Sequence, residues 1–291
     1  MSTRTWGILF IALAATSWGT WPLFTHGSPL SGVTIGFITL AVMSLPAPLV
    51  FRRADFADRP AAWWLLVVGL ADAANVVLYF SALSRGPIVF AVLTHYLAPA
   101  LVALGAPLIL KEPRSKRALL ATPLVLAGLT LVLSRTATEG TDWRMTALLG
   151  CGSAIFYALV VIGSRRAGRT FSPLAVTSLH SVISALVLVL IFGREVVPVS
   201  VTPAFPVLGA ALINGLLAAV LFNRALRLIG AQLVGVFTYL EPFTAAVLGV
   251  VVFHEAFSAA TVVGVVIIVA VGAWAAAEPP QRIAAGDMAE P

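Results

Sequence analysis

Tyr96-Leu97-Ala98-Pro99 lies in one long apolar run, and Tyr239-Leu240-Glu241-Pro242 lies in another, 143 positions later. The same offset pairs Ala82-Leu83 with Ala225-Leu226, Ala103 with Ala246, Glu112 with Glu255 and Ser115 with Ser258, which makes 8 identities across positions 82–115. The chain reads as two copies of one unit joined head to tail. In a membrane protein such a duplication points to a carrier whose site lies between the copies.

Working outward, the chain has 291 residues, of which 60% are hydrophobic and 10% charged, and its mean hydropathy is +1.01. A soluble domain carries about 25% charged residues. So apolar a chain needs a bilayer as solvent. The net charge of +6 does not point to nucleic acid, because the 18 basic residues are spread between apolar runs rather than gathered in a patch. The single cysteine, Cys151, excludes an intramolecular disulfide.

A helix crosses the hydrocarbon core with about 20 apolar residues. Ten runs meet that length: 6–25, 32–51, 61–82, 88–110, 117–134, 145–164, 173–192, 204–226, 231–253 and 258–277. The expected fold is all-α, integral to the membrane, with residues 1–134 and 145–277 as five-helix repeats, 135–144 as their connection and 278–291 as a disordered tail. With ten spans, the loops on the side of the termini hold 14 Lys and Arg and the opposite loops hold 4. Basic residues favour the cytoplasm, so both termini are expected there. Five is an odd number of spans. The second copy then enters from the other side, and the repeats are inverted about an axis in the membrane plane.

The mid-span polar residues are the candidates for chemistry. Asp72 is the twelfth residue of the third run, and Asn75 and Tyr79 follow on the same helical face. A charge at that depth is costly and rarely faces lipid. Glu241 is the eleventh residue of the ninth run, directly before Pro242, with Thr238 one turn earlier. Pro242, and Pro99 in the matching place, remove a backbone donor and are expected to bend their helices as hinges. His95 sits one turn before Pro99; a free histidine side chain titrates near neutrality, so this residue is either a proton relay or a neutral packing residue. Substrate or proton binding is therefore assigned to Asp72, Asn75, Tyr79, His95, Asn214, Thr238 and Glu241, and cavity lining to Trp18, Trp21, Tyr96, Tyr157 and Tyr239. His180 reads as structural, and Glu112 and Glu255 as helix-end residues. Small residues such as Gly150, Gly152 and Ala154 are expected to pack helices within one chain or between two chains of a homodimer.

No phosphate-binding loop, paired-histidine metal motif or nucleophile elbow is present, so no cofactor or metal is expected and the chain does not read as an enzyme. An intramembrane aspartyl protease needs two facing aspartates, and only Asp72 qualifies. No basic residue lies mid-span, which disfavours phosphorylated substrates and favours a small molecule with an ammonium group, a cation, or a coupling proton.

Tyr96-Leu97-Ala98-Pro99 through Lys111-Glu112, and Tyr239 to Gly249 through His254-Glu255, resemble the EamA family of the drug/metabolite transporter superfamily. Ser153 to Tyr157 and Gly163-Ser164-Arg165-Arg166-Ala167-Gly168 are similar to its amino acid exporter branch. The resemblance implies a secondary carrier of the inner membrane, with two inverted five-span bundles around a central cavity. It also implies export of amino acids or related metabolites, often coupled to protons. Other substrates of the superfamily, such as organic cations, sugars or nucleotide precursors, are the alternative. Lys111-Glu112-Pro113 lacks the Gly that commonly precedes this Glu, His254 stands in the matching place of the second copy, and Asp72 matches no general family motif.

Overall fold

The computed structural model describes residues 2–25, 28–51, 56–85, 88–133, 142–197, 204–252 and 259–277. Among them all regular structure is helical. Among the described residues seven helical stretches are long and apolar enough to cross a membrane: Thr3–Thr25, Arg59–Leu83, Ala91–Ile109, Trp143–Ala167, Pro173–Val196, Ala204–Ile229 and Ala231–Val251. Elsewhere Gly32–Ser44, Lys116–Leu133 and Ala259–Ala276 are helices of 13, 18 and 18 residues. Helix thus occupies every expected run, while seven rather than ten meet the full requirement for a span. The 278–291 tail, Glu255, and most of the 135–144 connection lie outside the described residues.

Local sequence sets the helix starts. Ser2, Ser31, Asp142 and Ser172 each use a side-chain oxygen to accept the backbone N–H three residues on. These caps satisfy donors that the first turn leaves without partners. Both proline-containing runs are broken. One helix ends at His95 and the next begins at Ala98; in the second copy one ends at Phe237 and the next begins at Leu240. Pro99 and Pro242 have no N–H to offer the carbonyls four residues back. The chain tightens instead, with Leu97 N–H on the Thr94 carbonyl at 3.2 Å and Glu241 N–H on the Thr238 carbonyl at 3.0 Å.

The packing pairs of the two halves mirror each other. Arg59–Arg85 packs along Trp143–Ala167, and its counterpart in the second half, Ala218–Ile229, packs along Thr3–Gly19. Ala98–Ile109 contacts Trp143–Ala167 as Leu240–Val251 contacts Thr3–Gly19, and Lys116–Leu133 lies on Ala259–Ala276. At the centre the Tyr96 and Tyr239 rings stand 5.8 Å apart, and the Tyr239 hydroxyl donates to the Tyr96 carbonyl at 2.9 Å. Leu49, Leu108, Leu148 and Leu190 are exposed on the outside. An outer surface of that kind is stable against lipid tails and unstable against water.

Candidate functional site: a polar cavity between the two halves

A cavity of about 1020 Å³ lies between the halves, lined among others by Trp18, Trp21, Asp72, Asn75, Tyr79, His95, Tyr96, Tyr157, His180, Asn214, Asn223 and Glu241. These come from both halves, and from elements far apart in sequence. Asp72, Asn75 and Tyr79 share the inner face of the unbroken Arg59–Arg85 helix, as their spacing requires.

His95 is the centre of the first half's wall. Its ring lies 4.4 Å from Tyr79 and 5.2 Å from Tyr157, both at shallow angles, and 5.4 Å from Tyr96 edge-on. Its Nδ1 is 2.8 Å from the Ser153 hydroxyl, which donates to Asn75 Oδ1 at 2.8 Å. The serine has one proton. With that proton on Asn75, the serine oxygen accepts from His95 Nδ1–H, so the neutral ring keeps Nε2 as its acceptor.

Glu241 stands opposite, in the first turn after the break. The Tyr96 phenol lies beside its carboxyl group, and the Tyr79 and Tyr157 phenols lie within its electrostatic reach. Gly19 permits this placement: a Cβ there would sit 2.5 Å from the Glu241 carbonyl and 2.4 Å from Thr244 Cβ. The first helix therefore packs against the second broken helix at backbone distance.

Asp72 meets two residues of Pro173–Phe192. Ser184 Oγ lies 3.3 Å and His180 Nε2 3.6 Å from Asp72 Oδ2. His180 Nδ1 faces the Val176 carbonyl, which only accepts, so that nitrogen carries the proton and Nε2 is the atom turned to Asp72. The structural role expected of His180 is incomplete: it lines the cavity beside Asp72.

Other expectations need correction. Thr238 is buried, its hydroxyl donating to the Gly235 carbonyl at 2.7 Å, and it is not in the lining. One-turn periodicity failed because the helix breaks between Thr238 and Glu241. Tyr239 also lies outside the lining, at the contact between the broken helices. Asn214 lines the cavity, but its amide pins two helices, accepting from Ser17 Oγ at 2.7 Å and donating to Thr20 Oγ1 at 3.0 Å. It sits in a π-helical stretch, Ala211–Leu217, a wide turn that apolar spacing does not reveal. Sequence reasoning missed Ser153, Ser184 and Asn223. Thr177, His180, Ser181 and Ser184 form a polar row at helical spacing in an otherwise apolar run, which was the available clue. Among the described residues no three His, Cys, Asp or Glu side chains converge as a metal site.

Comparison with known proteins agrees with this architecture. The model of the EamA-like transporter family matches residues 5–134 and again 144–274. The curated proteins contain no match. Among solved structures 28 chains match. One of them, titled "Crystal structure of protein", superposes with a TM-score of 0.77 at 22% identity over 93% of this chain and 96% of its own. That likeness is one of fold. With two family-length repeats, long apolar helices and a cavity between the halves, the chain is a multi-pass membrane protein of the EamA-like transporter family, in the drug/metabolite transporter superfamily.

Proposed function

We propose that this transporter is a secondary carrier that exports amino acids or related small metabolites bearing an ammonium group, with a proton as coupling ion. The observation that carries this reading is the charge of the cavity. Asp72 and Glu241 both line it, and among the described residues no Lys or Arg does. Such a cavity favours a cation. Its aromatic wall adds cation–π attraction of about 0.5–2 kcal/mol per well-placed ring. Its volume suits a small molecule.

In this reading Glu241 and Asp72 bind the ammonium group or the proton in turn, and Asn75, Tyr79 and His95 orient the rest of the substrate. Pro99 and Pro242 act as hinges. The mirrored helix pairs support two inverted five-helix repeats, 1–134 and 145–277, which rock about the cavity. The excess of basic residues in the loops beside the termini supports cytoplasmic ends in a bacterial-type inner membrane. Organic cations without a carboxylate are the second reading, favoured by the number of aromatic rings at the site.

The test is uptake into proteoliposomes across amino acids, amines, sugars and nucleotide precursors, with and without a proton gradient. Saturable transport of ammonium-bearing substrates, driven by the gradient and lost in Asp72→Asn and Glu241→Gln, is expected. Normal transport by both variants would remove the site assignment, and indifference to the gradient would remove the proton.

A further inference from the structure

The cavity lies towards one end of the molecule. Its lining runs out to Thr25, Leu83 and Val250 at that end, and towards the other end it stops at Ser164, His180, Asn223 and, on the second broken run, Glu241. Ala231 and Val251 are the two ends of that run, which is about 30 Å long at 1.5 Å per residue. The Ala231 end is closed in two layers. The inner layer is apolar and joins both halves: Ile11, Val102, Ala106, Val161, Ile162, Phe222, Leu226 and Val234 form one buried cluster.

The outer layer is polar and also crosses between the halves. Glu112 Oε1 accepts from Arg165 Nε at 2.7 Å, with Arg165 only 1% exposed. Glu112 Oε2 accepts the Ala231 N–H at 3.3 Å. Gln232 accepts the Ser115 N–H at 2.9 Å and donates to the Pro113 carbonyl at 2.8 Å, and Arg169 donates to the Leu110 carbonyl at 2.9 Å. Gly230, at φ +79°, lets the carboxylate approach: a Cβ there would stand 3.2 Å from Glu112 Oε2.

We propose that Glu112, Arg165 and Gln232 form a releasable gate that seals the cavity on the side of the 110–115 loop. Its opening gives substrate access to that side. The chemistry suits a part that must open and close. Separating an apolar seal exposes surface to water at about 25 cal/mol per Å². A buried ion pair recovers its lost hydration when it parts, so its closed and open forms lie close in free energy. A helix-end role for Glu112 alone would not require a partner 53 positions away on another helix.

The proposal rests on alternating access but not on the substrate, and its experiment does not use transport. In Cys151→Ser protein carrying Ala219→Cys in the cavity lining, an impermeant thiol reagent is applied to each face of oriented proteoliposomes. Glu112→Gln and Arg165→Gln should each raise modification from the 110–115 side by at least about fivefold. The double variant should add little, because the two act as one unit. Arg165→Lys, the milder change, should fall between. Lys116→Ala, on the same face, should leave the rate unchanged. Unaltered labelling in Glu112→Gln and Arg165→Lys proteins that remain monodisperse would overturn the gate. So would a rise confined to the opposite face.

Discussion

Position 98 in the first broken helix is an alanine only 1% exposed, and position 241, its equivalent in the second, is a glutamate in the cavity wall. One turn earlier the relation is reversed. His95 faces the cavity between two tyrosines, while its equivalent Thr238 turns back to its own backbone. The tyrosines differ as well: Tyr96 lies beside the Glu241 carboxyl group, and Tyr239 serves the Tyr96 carbonyl. Duplication therefore supplies the backbone, two broken helices meeting near the centre. Divergence supplies the chemistry, with one carboxyl group, one imidazole and a single polar face.

The comparison breaks most visibly if the two positions are made alike. Ala98→Glu buries a carboxyl group in a packed contact without a partner. It is expected to cost several kcal/mol and to abolish monodisperse protein, which size-exclusion chromatography will show. The reverse change, Glu241→Gln, keeps the shape and removes the charge. Folding should survive, and transport should fall about ten- to hundredfold, the worth of a hydrogen bond to a charged group.

Glycines sharpen the same contrast between centre and periphery. Gly19→Ala places a methyl group against the Glu241 backbone and should lower stability by about 1–3 kcal/mol. Gly272→Ala meets nothing within 4 Å and should stay within about 0.5 kcal/mol of the parent, both by thermal unfolding in detergent. Smallest of all is Lys111→Gly. Lys111 adopts φ +58° in the turn that delivers Glu112, a conformation that costs most residues about 1–2 kcal/mol. Glycine should raise the unfolding temperature slightly, since its greater freedom in the unfolded chain offsets part of the gain.

Much of this was legible in the sequence, for stated reasons. The repeated Tyr-Leu-x-Pro gave both helix breaks, because proline's missing donor acts locally. Asp72, Asn75 and Tyr79 could be grouped because their helix is unbroken. Thr238 could not be placed, since the periodicity that links it to Glu241 stops at the break. His180 and Ser153 have partners on other helices, and the proposed gate joins Glu112 to Arg165 across the halves, so spacing along the chain could mark His180 as part of a polar row but could not supply any of these pairings.

The central claim is that the two cavity carboxyl groups select a positively charged substrate. Binding by purified protein of an amino acid that supports counterflow, against the same molecule with hydrogen in place of its amino group, tests it most directly. The account predicts saturable binding of the first, none of the second, and loss of the difference in Glu241→Gln. Equal binding of both molecules, or discrimination untouched by Glu241→Gln and Asp72→Asn, would contradict it.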